Sequence, residues 1–279
     1  MSTHEIEVLA GERFKFGSNW RRFLGGLTET KIAASTTHIR ATLGVENFDG
    51  QTFLDVGSGS GLTSLGAHRL GARVTSFDFD PQSVACTEEL RRKYTSGANW
   101  SVCEGSALDP TFLNTLGEFD IVCSWGVLHH TGAMWKALEN MVPLVKHGGR
   151  LYIAIYNDQG MWSKRWLVIK KIYNKLPGPL AAVFAVVVMG PRELRTALSA
   201  LRKLRFKDYL GKWFNYRGEG SRGMSRYYDM IDWVGGYPFE VAKPEEIFDF
   251  YRKRGFALEK LKTCGGGLGC NHFVFRRTS

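Results

Sequence analysis

Short apolar runs alternate with stretches of helical period along residues 51–157. Thr52–Val56, Arg73–Phe77, Trp100–Glu104, Ile121–Trp125 and Arg150–Tyr156 read as buried strands, with helices between them. One such helix runs from Pro81 to Tyr94, with Asp80 placed to cap it and Pro81 at its first position. Upstream, a helix from about Glu29 to Leu43 meets its stop signal at Gly44. The strand–helix alternation predicts an α/β fold: a doubly wound, mostly parallel seven-stranded sheet with right-handed crossovers. Its last two strands, Ala257–Thr263 and Asn271–Arg276, follow a helix that starts at Pro244 and stops at Gly255. They close the sheet as an antiparallel hairpin around the loop Cys264-Gly-Gly-Gly-Leu-Gly-Cys270.

Between 158 and 236 the alternation stops. Trp162, Trp166, Ile169, Tyr173 and Leu176 recur at helical spacing and mark one helix face, with Lys164, Arg165, Lys170, Lys171 and Lys175 largely off that seam. An apolar stretch bounded by Pro177 and Pro191 follows, well short of the ~20 residues a membrane span needs. Leu194, Leu198, Leu201 and Leu204 then form a second stripe among arginines and lysines. The pattern predicts two basic amphipathic helices bracketing an apolar stretch.

The chemistry concentrates at the end of the first strand. Asp55-Val56-Gly57-Ser58-Gly59-Ser60-Gly61 places three glycines at alternate positions between a strand and a helix. Such a corner lets the backbone turn tightly and approach a ligand, and it aims helix N–H groups at polar ligand atoms. The second strand ends at Asp78, where a carboxylate can accept the hydroxyls of a ribose, with Phe79 beside it.

This D-x-G-x-G-x-G pattern, followed by Asp78, resembles motif I of class I S-adenosylmethionine-dependent methyltransferases. Phe119–His130 is similar to that fold's fourth strand and the loop after it, and Leu144–Ile155 to its helix-to-fifth-strand segment. Within the family the chain looks most like the small-molecule O-methyltransferases of ubiquinone biosynthesis. The resemblance implies S-adenosyl-L-methionine as cofactor, with S-adenosyl-L-homocysteine as product. The candidate cofactor residues are Asp55, Gly57, Ser58, Gly59, Ser60, Gly61, Asp78, Phe79, Ser106, Ala107 and Trp125. Ser106 stands where the family often carries an acid for the adenine, with Asp109 nearby.

The resemblance also implies a division into an N-terminal helical lid (1–50), a cofactor-binding core (51–157), a basic helical insert roofing the substrate (158–236), and a C-terminal helix and hairpin completing the core (237–279). Phe16 and Trp20, four residues apart, give the lid one aromatic face, and Trp20 is its candidate cofactor contact. Methyl transfer to a hydroxyl gains from a base, and His130, with His129 as second choice, is the candidate. Tyr227, Tyr228, Tyr237 and Glu240 are candidate substrate contacts, with Tyr237 and Glu240 as alternative bases.

Charge changes the picture in one place. The chain of 279 residues has a net charge of +10. Residues 160–232 hold 15 Lys/Arg against 5 Asp/Glu, and the remainder holds 22 of each. The excess therefore belongs to the insert, which is expected to meet anionic lipid, to pack on its own core, or to form a dimer contact. The insert is also leucine- and valine-rich and lacks a recognisable RNA-binding motif, which argues against nucleic acid. The expected activity is O-methylation of a small or lipid-linked hydroxylated substrate. RNA methylation and a non-catalytic cofactor-binding module touching a membrane or partner are the alternatives. Five cysteines without a C-x-x-C pattern read as reduced thiols, and no metal site is expected. With no basic-then-apolar leader pattern, the expected location is cytoplasmic, with a peripheral membrane contact through 160–232.

Overall fold

The computed structural model describes residues 2–95, 99–214 and 226–279. Its strands are β1 (Thr52–Val56), β2 (Arg73–Asp78), β3 (Trp100–Glu104), β4 (Phe119–Trp125), β5 (Val145–Tyr156), β6 (Phe256–Lys262) and β7 (Cys270–Arg277). They form one seven-stranded sheet in the order β3-β2-β1-β4-β5-β7-β6. The first five strands of that order pair in parallel, while β7 runs antiparallel to both β5 and β6. Chain direction across the sheet reverses between β1 and β4, which opens a crevice at their carboxyl ends.

The helices are α1 (Thr3–Leu9), α2 (Phe16–Gly25), α3 (Glu29–Leu43), α4 (Leu62–Arg69), α5 (Pro81–Tyr94), α6 (Pro110–Asn114), α7 (Met134–Met141), α8 (Met161–Lys175), α9 (Gly178–Arg202), α10 (Phe206–Phe214), α11 (Arg226–Gly235) and α12 (Pro244–Arg252). Alternate strand residues face opposite layers. On one side Phe53, Val74 and Ile121 pack with Ile32, Ile39, Leu65 and Leu90 from α3, α4 and α5. On the other, Leu54, Val122 and Leu151 pack with Leu113, Leu138 and Ile247 from α6, α7 and α12. The predicted punctuation is present: Gly44 ends α3 in the left-handed conformation, and Asp80 caps α5 through Gln82 N–H.

The insert after β5 differs from its expected form in two respects. The apolar stretch and the leucine stripe behind it, except Leu204, fall in one continuous 25-residue helix, α9, which passes through Pro191. Proline has no N–H for the carbonyl four residues back, but Val187 there is exposed, so that side of the helix meets water. Lys170 is not part of a solvated basic face: it is fully buried. Its ammonium lies 5.0 Å from the Trp233 ring and 4.8 Å from the Phe239 ring, and it donates to the Trp233 carbonyl. Burial pushes its pKa down to about 7, against the pull of Asp232. Around it Ala185, Met189 and Val234 form a small core with Trp166, Ile169 and Tyr173.

Candidate active site

The glycine loop follows β1 directly. Gly57, Gly59 and Gly61 all have positive φ (75°, 56° and 77°), a conformation that side chains with a Cβ rarely adopt. At Gly57 even a methyl group would lie 2.3 Å from Val127 on the turn after β4. The loop is held from behind. Gly57 and Ser58 N–H donate to the Phe77 carbonyl, and the Ser58 and Thr87 hydroxyls lie 2.8 Å apart. Asp55 stands behind the loop, at the sheet: its buried carboxylate accepts from the Ser64 hydroxyl at 2.5 Å, in a chain that continues to Ser76 and the Trp100 indole. Burial raises the Asp55 pKa to about 7, the Ser64 hydrogen bond opposes this, and the nearby Asp78 adds to it.

Asp78 closes the other side of the crevice. Its carboxylate accepts from Gly59 N–H and Asp80 N–H, both at 2.9 Å, so it fixes the loop as well as the β2 tip. Burial lifts its pKa to about 6 against those hydrogen bonds. Asp80 faces the lid: it accepts from Gly17 N–H of α2 at 2.7 Å, and His4 Nε2 of α1 lies 3.6 Å away. A Cβ at Gly17 would lie 2.6 Å from Asp80 and from Gln82, so only glycine lets α2 sit this close to α5. From that seat Trp20 lies over the loop, 3.0 Å from where a Gly59 Cβ would stand. Phe79 packs between the His4 ring, edge-on at 5.7 Å, and the Arg13 guanidinium at 4.9 Å.

His129 and His130 form a single 3₁₀ turn after β4, together with Leu128. His129 is fully buried, its ring 3.9 Å from that of Tyr156, and its Nδ1 accepts from Tyr156 N–H at 3.4 Å. His130 lies nearer the lid, with its ring 4.9 Å from Phe16. Its Nδ1 is 2.6 Å from the Pro238 carbonyl, which can only accept. The proton therefore sits on Nδ1 and the neutral ring carries its lone pair on Nε2. Arg13 reaches from Phe79 to the His130 carbonyl, where it donates at 3.0 Å, so one side chain ties both rims of the crevice.

With that geometry in place, comparison with known proteins is direct. Residues 54–153 match the family model of the methyltransferase domain. Those residues form a methyltransferase domain. A ubiquinone biosynthesis O-methyltransferase from Caulobacter vibrioides is 30% identical over 112 residues, 39% of this chain and 42% of that protein. One from Methylobacterium is 29% identical over 131 residues, 47% of this chain and 51% of that protein. The chain thus spans about half the length of the curated relatives it matches. Among solved structures, magnesium protoporphyrin IX methyltransferase from Synechocystis PCC 6803 with bound SAH superposes with a TM-score of 0.52 at 16% identity, covering 93% of each chain. At that identity the likeness is one of fold.

Several candidate residues of the methyltransferase domain sit differently from their sequence expectation. Trp125 shares its strand face with Cys123, on the α3 side, and donates its indole N–H to His272 at 3.3 Å. Ser106 accepts from Leu108 N–H, Asp109 caps α6, and Ala107 is buried with its carbonyl taken by Asn140. Ser60 is buried in the loop. Glu240 is drawn onto the start of α7, both its oxygens accepting from Met134 N–H, and burial raises its pKa. Tyr237 is partly buried and offers its carbonyl to Phe14 N–H. Tyr227 and Tyr228 belong to α11, but their side chains lie outside the described residues. The sequence reading missed His4, Arg13, Gly17 and Asp80 as one lid-anchoring group. The glycine in an otherwise aromatic and basic lid was the available signal.

Proposed function

We propose that the protein transfers a methyl group from S-adenosyl-L-methionine to a hydroxyl of a small or lipid-linked acceptor. The residues present fit that cofactor: three glycines in positive φ let the loop backbone come close to a ligand while Ser58 and Ser60 are buried, and a partly buried carboxylate stands at the β2 tip. Gly57–Gly61 and Asp78 would hold it, Asp78 by exchanging its loop contacts for ribose hydroxyls, with Trp20 as cover. When bound, the cofactor supplies a methyl group already activated by its sulfonium. The chain's own task is then to align the acceptor, exclude water and take a proton.

His130 carries the proton step in this reading. The observation that supports it is the Nδ1 contact to Pro238, which sets Nε2 as the basic atom of a ring at the carboxyl end of β4. The ring is clamped by Phe16 and Tyr156 (5.3 Å), so it is oriented before any acceptor arrives. Glu240 fits a supporting role, since its carboxylate steadies α7 while its N–H holds the His129 carbonyl at 2.9 Å. The O-methyltransferase relatives support a hydroxyl acceptor.

The experiment is methyl transfer from radiolabelled cofactor into lipid extract, RNA and small polar metabolites, wild type beside His130→Ala. Label is expected in lipid or small-molecule hydroxyls, reduced roughly 10²–10⁴-fold in the variant with S-adenosyl-L-homocysteine affinity kept. Label confined to RNA, or unchanged turnover at neutral pH, overturns the reading.

A further inference from the structure

The outer face of α9 is apolar and exposed along most of its length. Its inner face, Ala181, Ala185 and Met189, is buried against the insert. Opposite it Leu180, Val183, Val187, Leu194, Leu198 and Leu201 recur at helical spacing and fall on one line. Each is between 47% and 65% exposed. From Leu180 to Leu201 that line extends roughly 32 Å at ~1.5 Å per residue. A contiguous apolar stripe of that length is not left to water without a partner. α10 packs elsewhere on α9, where the Tyr209 hydroxyl donates to Glu193. Among the described residues no helix is long and apolar enough to cross a membrane, so the stripe lies along a surface instead.

Charge decides which surface. Arg195 and Arg202 each follow a stripe leucine, about 100° round the helix, and both are exposed. Arg192 and Lys203 are exposed beside them. A second copy of this chain, placed stripe to stripe, would bring these cations and a segment of net +10 against their own kind. An anionic headgroup layer neutralises the flank while its acyl boundary receives the stripe, the division of labour of an interfacial helix.

We infer that α9 docks the protein peripherally on anionic membranes, lying in the interface with Leu180–Leu201 inserted and Arg195 and Arg202 on headgroup phosphates. The reading holds whatever the acceptor is. Its test is co-sedimentation with phosphatidylcholine vesicles, with and without phosphatidylglycerol, at low and high salt. Wild type is expected to bind the phosphatidylglycerol vesicles and to be released by salt. The variant Val183→Asn/Val187→Asn/Leu194→Asn/Leu198→Asn is expected to lose binding while keeping its circular dichroism and its affinity for S-adenosyl-L-homocysteine. Should that variant misfold, Arg195→Gln/Arg202→Gln leaves the stripe intact and is expected to weaken binding by up to about thirtyfold. Wild-type protein that ignores phosphatidylglycerol, or arginine variants that bind as well as wild type, overturn the inference. So does a dimer by light scattering that the stripe variant splits while vesicles stay bare.

Discussion

At the scale of single residues the crevice is governed by two acids held in unusual states. Asp55 is 3% exposed and its pKa is raised by burial to about 7. The folded chain therefore binds this proton more tightly than the unfolded chain, whose carboxyl titrates near 3.9. The sign follows: this group's contribution to stability is present at low pH and is lost as pH rises from about 4 through 7. Asp55→Asn keeps an oxygen for the Ser64 hydroxyl without the charge. Its melting temperature is expected to match wild type near pH 5 and to exceed it by several degrees at pH 8, as scanning calorimetry across that range would show. A wild-type advantage at pH 8 would mean that the ionised carboxylate is the stabilising form. Asp78 carries a different expectation. Its pKa lies near 6, so cofactor or product binding should strengthen as pH rises through 6 and the stronger, charged acceptor forms. Asp78→Ala should weaken S-adenosyl-L-homocysteine by roughly 2–4 kcal/mol at pH 8. Titration calorimetry giving equal affinities would remove Asp78 from the site.

At the scale of elements, the lid and the insert follow different rules. Helix α2 of the lid is held on α5 by Gly17 N–H donating to Asp80, across 63 residues of sequence. Gly17→Val forces α2 off α5, because a Cβ there meets Asp80, Gln82 and the Ser83 backbone. Trp20 then leaves the loop, and product affinity should fall at least tenfold while the circular dichroism of the sheet persists. Retained affinity with a displaced Trp20 would mean the lid does not cover the cofactor. Strand positions were legible in the sequence because apolar runs of five or so residues between helical stretches admit one parallel reading. Caps such as Asp80 and Gly44 were legible for the same local reason. The two functions of Asp80 were not, since its contact with Gly17 depends on tertiary closeness. Nor was the continuity of α9, where Gly190-Pro191 reads as a stop but the exposed side of the helix absorbs the missing hydrogen bond. Lys170 misled for a related reason: position on a helix wheel says which side a residue is on, not what another helix brings to that side. Trp125 shows the same limit, since strand parity set its face and His272 took its N–H.

At the scale of the whole molecule, ordering should be uneven. The sheet is covered on both sides by buried clusters, whereas α9 beyond Met189 has only exposed or half-buried side chains. Regions with few buried apolar contacts open at low free-energy cost, and densely packed strands open near the global limit. Amide hydrogen exchange should therefore be fastest along α9 from Arg192 to Arg202 and slowest in β1, β4 and β5. A ligand that binds only the folded state at a hundred times its dissociation constant adds about 2.7 kcal/mol of stability. If S-adenosyl-L-homocysteine sits between the glycine loop, Asp78 and α2, its added protection should appear in 16–25, 57–61 and 78–80 beyond what the core gains. The outer turns of α9 should exchange as before, because their opening does not release the ligand. Phosphatidylglycerol vesicles should reverse the pattern, slowing α9 and leaving 57–61 unchanged. Protection of α9 by product alone would tie the insert to the cofactor site and count against its acting as an independent membrane face.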